Sequence, residues 1–436
     1  MKPDRHPGRQ ASAWHGSGTA RHRRRSVWRS VGLPVARFAL ISLAVLLVSA
    51  TVLGTVFVNQ VSSRVADNAV DISNGRAADA QRRAMAGPQE FDGGFSMLVV
   101  GVDNAGDQSV AYGSRGSTLN DVNILLHVSE DQDSAVVISL PRDLVIPQPA
   151  CTDADSGTVS AAASALPINA SFGRGGLGCV VDTVERLTGL PIPYAGVISF
   201  EGTVAMADAV GGVPICLTEA IDDPYTGLDL PAGVSVVSGQ EALSYLRSRH
   251  GVGDGSDLAR ISSQQAYLSS LMRVLTSDAT LTDLPRLSGL ATSAATNLRL
   301  SESLASVPTM VSMALVLREI DLDRLLFVQY PTLPDPANPA RLVPDPLLAG
   351  RLFTTIDAGE SFALPPESLG DSVEPTPGNA VEGSPVDLTA PPAPTPAVPP
   401  APAATPTPTT APGPEVIEGL RGQTAGQQTC SVAFGD

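Results

Sequence analysis

The feature that most restricts this chain is a run of twenty-one residues without a charge, FALISLAVLLVSATVLGTVFV, from Phe38 to Val58. As a helix rising 1.5 Å per residue it matches the roughly 30 Å hydrocarbon core of a bilayer. It is longer than the apolar core of a cleaved leader, and no clear small-x-small cleavage site follows it, so it reads as a retained anchor. The charge on its two sides differs sharply. Residues 1–37 carry nine Lys/Arg and one acid, Asp4, whereas the rest of the chain carries 19 basic and 43 acidic residues. Basic residues beside a span favour the cytoplasmic side. The expected layout is a single pass through the plasma membrane with a cytoplasmic N-terminus and an extracytoplasmic body. The same basic segment could suggest nucleic acid, but the span and anionic lipid explain it, so membrane lipid is the expected partner and no nucleic acid.

Patterning divides the chain into a basic tail (1–37), the span (38–58), a juxtamembrane stalk (59–94), a globular body (95–365), a linker (366–415) and a tail (416–436). The linker contains APPAPTPAVPPAPAATPTPTTAPGP, a composition of extended, disordered spacers. Within the body, short apolar runs alternate with amphipathic segments. Strands are expected at Ser96–Asp103, Asp121–Val128, Ala135–Leu140, Tyr194–Phe200, Val213–Leu217 and Leu325–Gln329. Helices are expected at Cys179–Gly189, Glu201–Ala209, Gln240–Leu246, from Asp257, near Leu281–Asn297, Ser303–Arg318 and Pro346–Ile356. This alternation predicts an α/β fold, a three-layer α-β-α body with a mixed central sheet. The Ala-, Ser- and Gly-rich stretch from Cys151 to Cys179 reads as a long loop held at its ends. All four cysteines (Cys151, Cys179, Cys216, Cys430) follow the span, where thiols pair. Cys151–Cys179 is the favoured local bridge, leaving Cys216–Cys430, although spacing does not fix the connectivity.

One stretch carries the chemistry, SGQEALSYLRSRHGVGDGSDLARISSQQAYLSSLMRVL from Ser238 to Leu275. Ser238 and Glu241 have capping-box spacing. Arg247 and Arg249 stand at i, i+2 and would share a face of an extended segment. Asp257 reads as the N-cap of the next helix, on which Arg260 and Gln264 at i, i+4 share a face. Guanidinium forks suit phosphate oxygens. The competing reading is a solvated, salt-bridged surface, and the choice of arginine is itself uninformative because Lys2 is the only lysine. Asp103 and Asp121 end and begin neighbouring strands, with Arg115 in the loop between them and Arg142 after the third strand. Such strand ends are where α/β proteins place ligands. Two carboxylates also match the usual protein share of a Mg²⁺ site. No CxxC or associated histidine spacing suggests zinc. The apolar segment bearing Leu304, Val307, Met310, Met313 and Leu317 fits either core or a slot for a lipid tail.

Several blocks in order resemble the LytR-CpsA-Psr family of envelope proteins, in its actinobacterial form. They are Ser96–Asp103, Asp121–Val128, Ser139-Leu-Pro-Arg-Asp143, Ala209-Val-Gly-Gly-Val213, Ala242-Leu-Ser-Tyr-Leu-Arg-Ser-Arg-His250 and Asp257-Leu-Ala-Arg-Ile-Ser-Ser-Gln-Gln265, within residues 95–360. The resemblance implies a glycopolymer–peptidoglycan phosphotransferase. A glycopolymer on a polyprenyl pyrophosphate carrier would pass to a peptidoglycan hydroxyl. It further implies pyrophosphate contacts by Arg142, Arg247, Arg249, Arg260 and Gln264, Mg²⁺ (or Mn²⁺) at Asp103 and Asp121, and a polyprenyl chain held in the helical apolar layer. The sequence departs from the pattern at Leu119-Asn120-Asp121, where many members have Arg-Ser-Asp, and at Asn104-Ala105 after Asp103. Arg115 is a candidate replacement for the missing arginine. A non-catalytic binder of lipid-linked intermediates, or an envelope-linked regulator, is the alternative that the same residues allow.

Overall fold

The computed structural model describes residues 27–72, 93–103, 118–153, 156–277, 280, 283–370, 372–376 and 414–434. The chain divides into two units, 1–58 and 59–436. In the first, helix α1 (Val27–Asp67) begins and carries the apolar run; its portion from Arg37 is long and apolar enough to cross a membrane. Phe38, Leu40, Leu46 and Val52 on it are exposed, an arrangement suited to hydrocarbon rather than water.

The second unit starts with the last turns of α1, where Val61 and Val65 are buried. Val70 then donates to Leu300 O at 2.8 Å and accepts from Glu302 N at 3.0 Å. Residues 59–72 therefore belong to the folded body, which corrects the expectation of a separate stalk for that part; residues 73–92 of the expected stalk lie outside the described residues. The sequence masks this because the last turns of a long helix and one β-bridge leave no periodic signal.

A seven-stranded mixed sheet forms the centre. Its strands are β1 (Phe95–Val102), β2 (Asn120–Val128), β3 (Ala135–Leu140), β4 (Tyr194–Ile198), β7 (Leu298–Leu300), β8 (Leu325–Gln329) and β10 (Gly422–Thr424), in the order β7-β4-β1-β2-β3-β8-β10. The pairs β1–β4 and β3–β8 are parallel and the others antiparallel. Leu98, Val100, Leu125, Ile138, Ala195 and Val328 are buried in its core together with Val180 and Val184 of α2 (Ser171–Thr188) and Leu352 and Ile356 of α8 (Pro346–Asp357). On the other side lies α5 (Asp257–Thr276), whose polar residues bond to the sheet: Gln265 Nε2 donates to Ser139 Oγ at 3.4 Å and Gln329 Nε2 to Ser262 Oγ at 2.8 Å. The architecture is the three-layer α/β fold that the alternating pattern predicts.

A second, four-stranded sheet joins β6 (Gly233–Val237), β5 (Val213–Leu217), β11 (Thr429–Ser431) and β9 (Val373–Pro375) in that order. It shares a core with α3 (Phe200–Val210), α4 (Gly239–Arg247) and Tyr267 of α5. Both sheets thus take strands from beyond residue 365. The expected linker contributes β9, and the expected tail contributes β10 and β11, so the body does not end where sequence patterning ends it. Three-residue strands have too few residues to show alternation. Residues 377–413, with most of the Pro/Ala/Thr-rich segment, and the basic residues 1–26 lie outside the described residues.

Other expectations shift locally. The stretch 151–179 is not a loop: it forms two short hairpins and the start of α2, which Asn120 Oδ1 anchors by accepting from Phe172 N at 3.0 Å. A Cβ on Gly175 would lie 2.7 Å from Cys151 Cβ, so only glycine admits the Cys151–Cys179 bridge against this helix. Cys216 is joined to Cys430, tying β5 to β11. Helices α6 (Leu284–Asn297) and α7 (Val307–Glu319) start later than expected, at Asp283 and Ser306 as N-cap residues.

Candidate active site

Three turns converge at one end of the sheet. Strand β2 begins at Asn120, β3 ends at Leu140 before Pro141-Arg142-Asp143, and α5 begins at Asp257. Ser256, not Asp257, caps α5 by accepting from Ala259 N at 3.1 Å, which leaves the Asp257 carboxylate free of capping duty. That carboxylate sits in the first turn, where a negative charge is favoured by the helix dipole.

Asp257 is the hub. Its Oδ1 accepts from Arg260 Nη2 at 2.7 Å and from Arg249 Nη2, and Arg142 Nε stands 3.9 Å away. Its Oδ2 accepts from the backbone N–H of Arg142 at 3.2 Å. Arg142 Nη1 donates to Asp121 Oδ1 at 2.7 Å, and Arg260 Nη2 to Asp121 O at 3.0 Å. Asp143, 3.7 Å from Arg142 Nε, is also paired with Arg341. The sequence reading missed Asp257 as a site residue and missed Arg341 entirely. The first was masked by its capping position; the second lies on the hairpin strand Asn338–Pro344, far from the other blocks.

The cluster therefore gathers Asp121, Arg142, Arg249 and Arg260. It separates Arg247 from Arg249: Ser248 is extended but Arg247 still belongs to α4, so the expected shared face does not form. Arg247 instead places its guanidinium carbon 4.4 Å from the ring centroid of Phe200, a cation–π contact. Gln264 donates to Leu246 O at 2.8 Å, joining α5 to α4 rather than reaching the other arginines. Ser238 makes no side-chain cap bond, so the expected capping box is also absent; Gly239, at φ +47, starts that helix.

Asp103 follows β1 and pairs with Leu119: Leu119 N donates to its Oδ1 at 3.0 Å, and its own N–H donates to Leu119 O at 3.1 Å. Asn120 is fully buried and donates to Asn123 Oδ1 at 2.7 Å and Ile168 O at 3.1 Å, so it organises structure and does not substitute for an arginine. Arg115 lies outside the described residues.

The electrostatics of the cluster set burial against neighbouring charge. Burial works against the charge of Arg142, but Asp121, Asp257 and Asp143 outweigh it and hold its pKa above the usual value. Burial pulls the pKa of Arg260 down, reinforced by Arg249 and Arg142 and opposed by Asp257 and Asp121. A guanidinium stays protonated through such shifts. Both Arg142 Nε and Arg260 Nε are buried and make no hydrogen bond. A buried N–H without a partner costs about 1–3 kcal/mol, which an added oxygen acceptor would recover. As for a divalent ion, no group of three or more metal-ligating side chains occurs among the described residues. Asp103 and Asp121 each have one oxygen engaged, by Leu119 N and by Arg142, and an ion of the Mg²⁺ kind takes only one or two carboxylates beside water and phosphate oxygens, a donor set that this pair matches in type.

Fold and site together define an α/β domain with a buried arginine–carboxylate cluster at one end of its central sheet. The chain belongs to the LytR_cpsA_psr family, whose model matches residues 56–332. It is 32% identical over 298 residues to the cell wall biosynthesis protein LcpA of Corynebacterium glutamicum, covering 60% of this chain and 54% of that one. It is 30% identical over 156 residues to the polyisoprenyl-teichoic acid–peptidoglycan teichoic acid transferase TagU of Bacillus subtilis, covering 36% and 44%. The chain spans about half the length of the curated relatives it matches. Among solved structures it is similar to a LytR-Csp2A-Psr enzyme from Actinomyces oris, with 21% identity and a TM-score of 0.45 over 61% of this chain and 90% of that one.

Proposed function

We propose that this protein is a membrane-anchored phosphotransferase that moves a glycopolymer from a polyprenyl pyrophosphate carrier to a peptidoglycan hydroxyl. The observation that carries the reading is the pair of buried, unbonded Nε–H groups on Arg142 and Arg260 within one four-residue cluster with Arg249 and Asp257. The name of the TagU relative, a transferase acting between polyisoprenyl-linked polymer and peptidoglycan, supports the same class.

In the proposed reaction the acceptor oxygen attacks the phosphorus bearing the glycopolymer. The bond from that phosphorus to the bridging oxygen of the pyrophosphate breaks, polyprenyl phosphate leaves, and a phosphodiester remains between glycopolymer and peptidoglycan. The hydroxyl proton passes to a carboxylate, Asp121 or Asp103. Arg142, Arg249 and Arg260 hold the diphosphate and neutralise charge that builds on its oxygens, and Asp257 fixes their guanidinium planes. Catalysis of this kind is mostly positioning and electrostatic stabilisation. Mg²⁺, held by Asp103 and Asp121, would add further charge neutralisation. The apolar α7, where Val311 and Leu315 stand exposed, suits the polyprenyl chain. The basic N-terminal segment places the N-terminus in the cytoplasm and the body outside.

The test uses the full chain in detergent with a short polyprenyl-pyrophosphate oligosaccharide, nascent peptidoglycan and Mg²⁺. Phosphodiester-linked polymer on the glycan is expected, and Arg249→Ala or metal chelation should abolish it. Tight donor binding with no transfer across several donors and acceptors would replace this reading with a binding module.

A further inference from the structure

We infer that residues 432–434 are a positioning strap for the arginine site, an element outside the family-matched region that fixes the loop carrying Arg249. The inference rests on the anion site proposed above and concerns how that site is held.

The loop from Ser248 to Ser256 links α4 to α5, and Arg249 reaches back from it to Asp257. Its first residues are tied to the body, Ser248 Oγ donating to Asp223 Oδ2 at 2.6 Å and His250 stacking on Tyr225 with ring centroids 4.4 Å apart. The strap secures the glycine-rich part that follows. Val252, fully buried, forms an antiparallel bridge with Ala433. Gly253 N donates to Val432 O at 3.0 Å, and Phe434 N donates to Gly251 O at 3.1 Å. The Phe434 ring closes over Gly255, whose φ is +78° and where an added Cβ would lie 2.9 Å from the ring.

The residues that lead into the strap hold the two flanking helices. Ser431 Oγ lies 2.6 Å from the hydroxyl of Tyr245 on α4. Gln423 Nε2 donates to Ser269 Oγ on α5 at 2.7 Å, and Arg273 on α5 donates to Ala425 O at 2.6 Å. Arg247, Asp257 and Arg260 therefore sit on helices fastened by residues 423–431, and the loop of Arg249 is fastened by the strap. Removing the strap leaves the sheets, Cys430 and the arginines in place, but frees Arg249 to sample rotamers and loop positions that do not meet Asp257. A guanidinium that must be ordered on binding gives up affinity.

The experiment compares the unmodified full chain, a chain ending at Ser431, and Phe434→Ala, all in detergent. Binding of inorganic pyrophosphate with Mg²⁺ is titrated calorimetrically, with amide hydrogen exchange at Gly253 and the unfolding midpoint recorded alongside. Expected is a loss of pyrophosphate affinity of roughly 10-fold on truncation and 3-fold in Phe434→Ala, in keeping with a lost positioning contact. In the truncated chain Gly253 exchange should accelerate, and in Phe434→Ala the midpoint should hold. Unchanged affinity in both variants overturns the strap while leaving the anion site standing. Affinity that falls only in step with the unfolding midpoint also overturns it, since that is a purely structural role. Absence of pyrophosphate binding by the unmodified chain overturns the anion-site reading and the strap with it.

Discussion

The Arg260 guanidinium bonds the Asp257 carboxylate at 2.7 Å, three residues earlier on the same helix, and both side chains are almost wholly buried. On an exposed helix face such a pair contributes a few tenths of a kcal/mol. Here desolvation makes each partner dependent on the other, and removing one strands the charge of the other. Asp257→Ala should therefore destabilise the body by about 3–5 kcal/mol, visible as a lower urea midpoint. An unfolding curve like that of the unmodified protein would show that Asp257 is not the hub described.

Arg249 is a quarter exposed and lies on a loop, so its loss should cost little stability. If it neutralises charge in the transition state, Arg249→Ala should lower kcat for polymer transfer by about 10²–10³-fold, with Arg249→Lys restoring only part because a lysine lacks the planar fork. Equal kcat values for the two forms would remove Arg249 from the mechanism.

Asp121 gives one oxygen to Arg142, and with Asp103 it is proposed to bind Mg²⁺. Asp121→Asn should raise the Mg²⁺ concentration needed for half-maximal transfer at least tenfold. A metal response identical to that of the unmodified protein would place the ion elsewhere.

His127 on β2 lies beside Ser96, its Nδ1 3.0 Å from the serine hydroxyl. Burial lowers its pKa below 6.5, with Asp357 opposing the shift. The unfolded chain thus binds the proton more readily, and stability present above pH 6.5 is lost as pH falls toward the depressed value. Between pH 7 and pH 5 the unfolding midpoint of the unmodified protein should drop further than that of His127→Gln. Parallel curves would show that His127 is not the titrating group.

The Cys216–Cys430 bridge closes a loop across 214 positions of sequence. Replacing both cysteines by serine should cost about 2–5 kcal/mol, measured under conditions that leave Cys151–Cys179 oxidised. A midpoint unmoved by the double replacement would assign the fastening of β11 wholly to its backbone bonds.

How much of this was legible in the sequence depends on the length of each signal. The strand Ala135–Leu140, buried at every position, and the anchor run declare themselves through continuous apolar residues. Arg142, Arg249 and Arg260 were recognisable as a group by their residue type and the motifs around them. Asp257 was read as a cap because Ser256 and Asp257 are both competent caps and only the fold decides between them. Spacing and the family resemblance group Arg247 and Gln264 with the phosphate ligands, whereas in the fold Arg247 packs on Phe200 and Gln264 bonds Leu246 O. Strands β9, β10 and β11 were invisible because three residues carry no period. Their place is set by partners distant in the chain, and no local preference encodes that.

The late arrival of residues 414–434 has a consequence for the order of synthesis. Translation delivers β8, Cys216 and the Arg249 loop long before the segment that pairs with all three. During that interval β8 offers a bare edge, the kind of template on which chains aggregate. A message truncated after the family-matched region would encode Arg142, Arg249 and Arg260 and still yield an unfinished, self-adhesive product. Reading through residues 414–434 thus acts as a check: only a chain that contains them covers the edge of β8 with β10 and fastens the loop of Arg249.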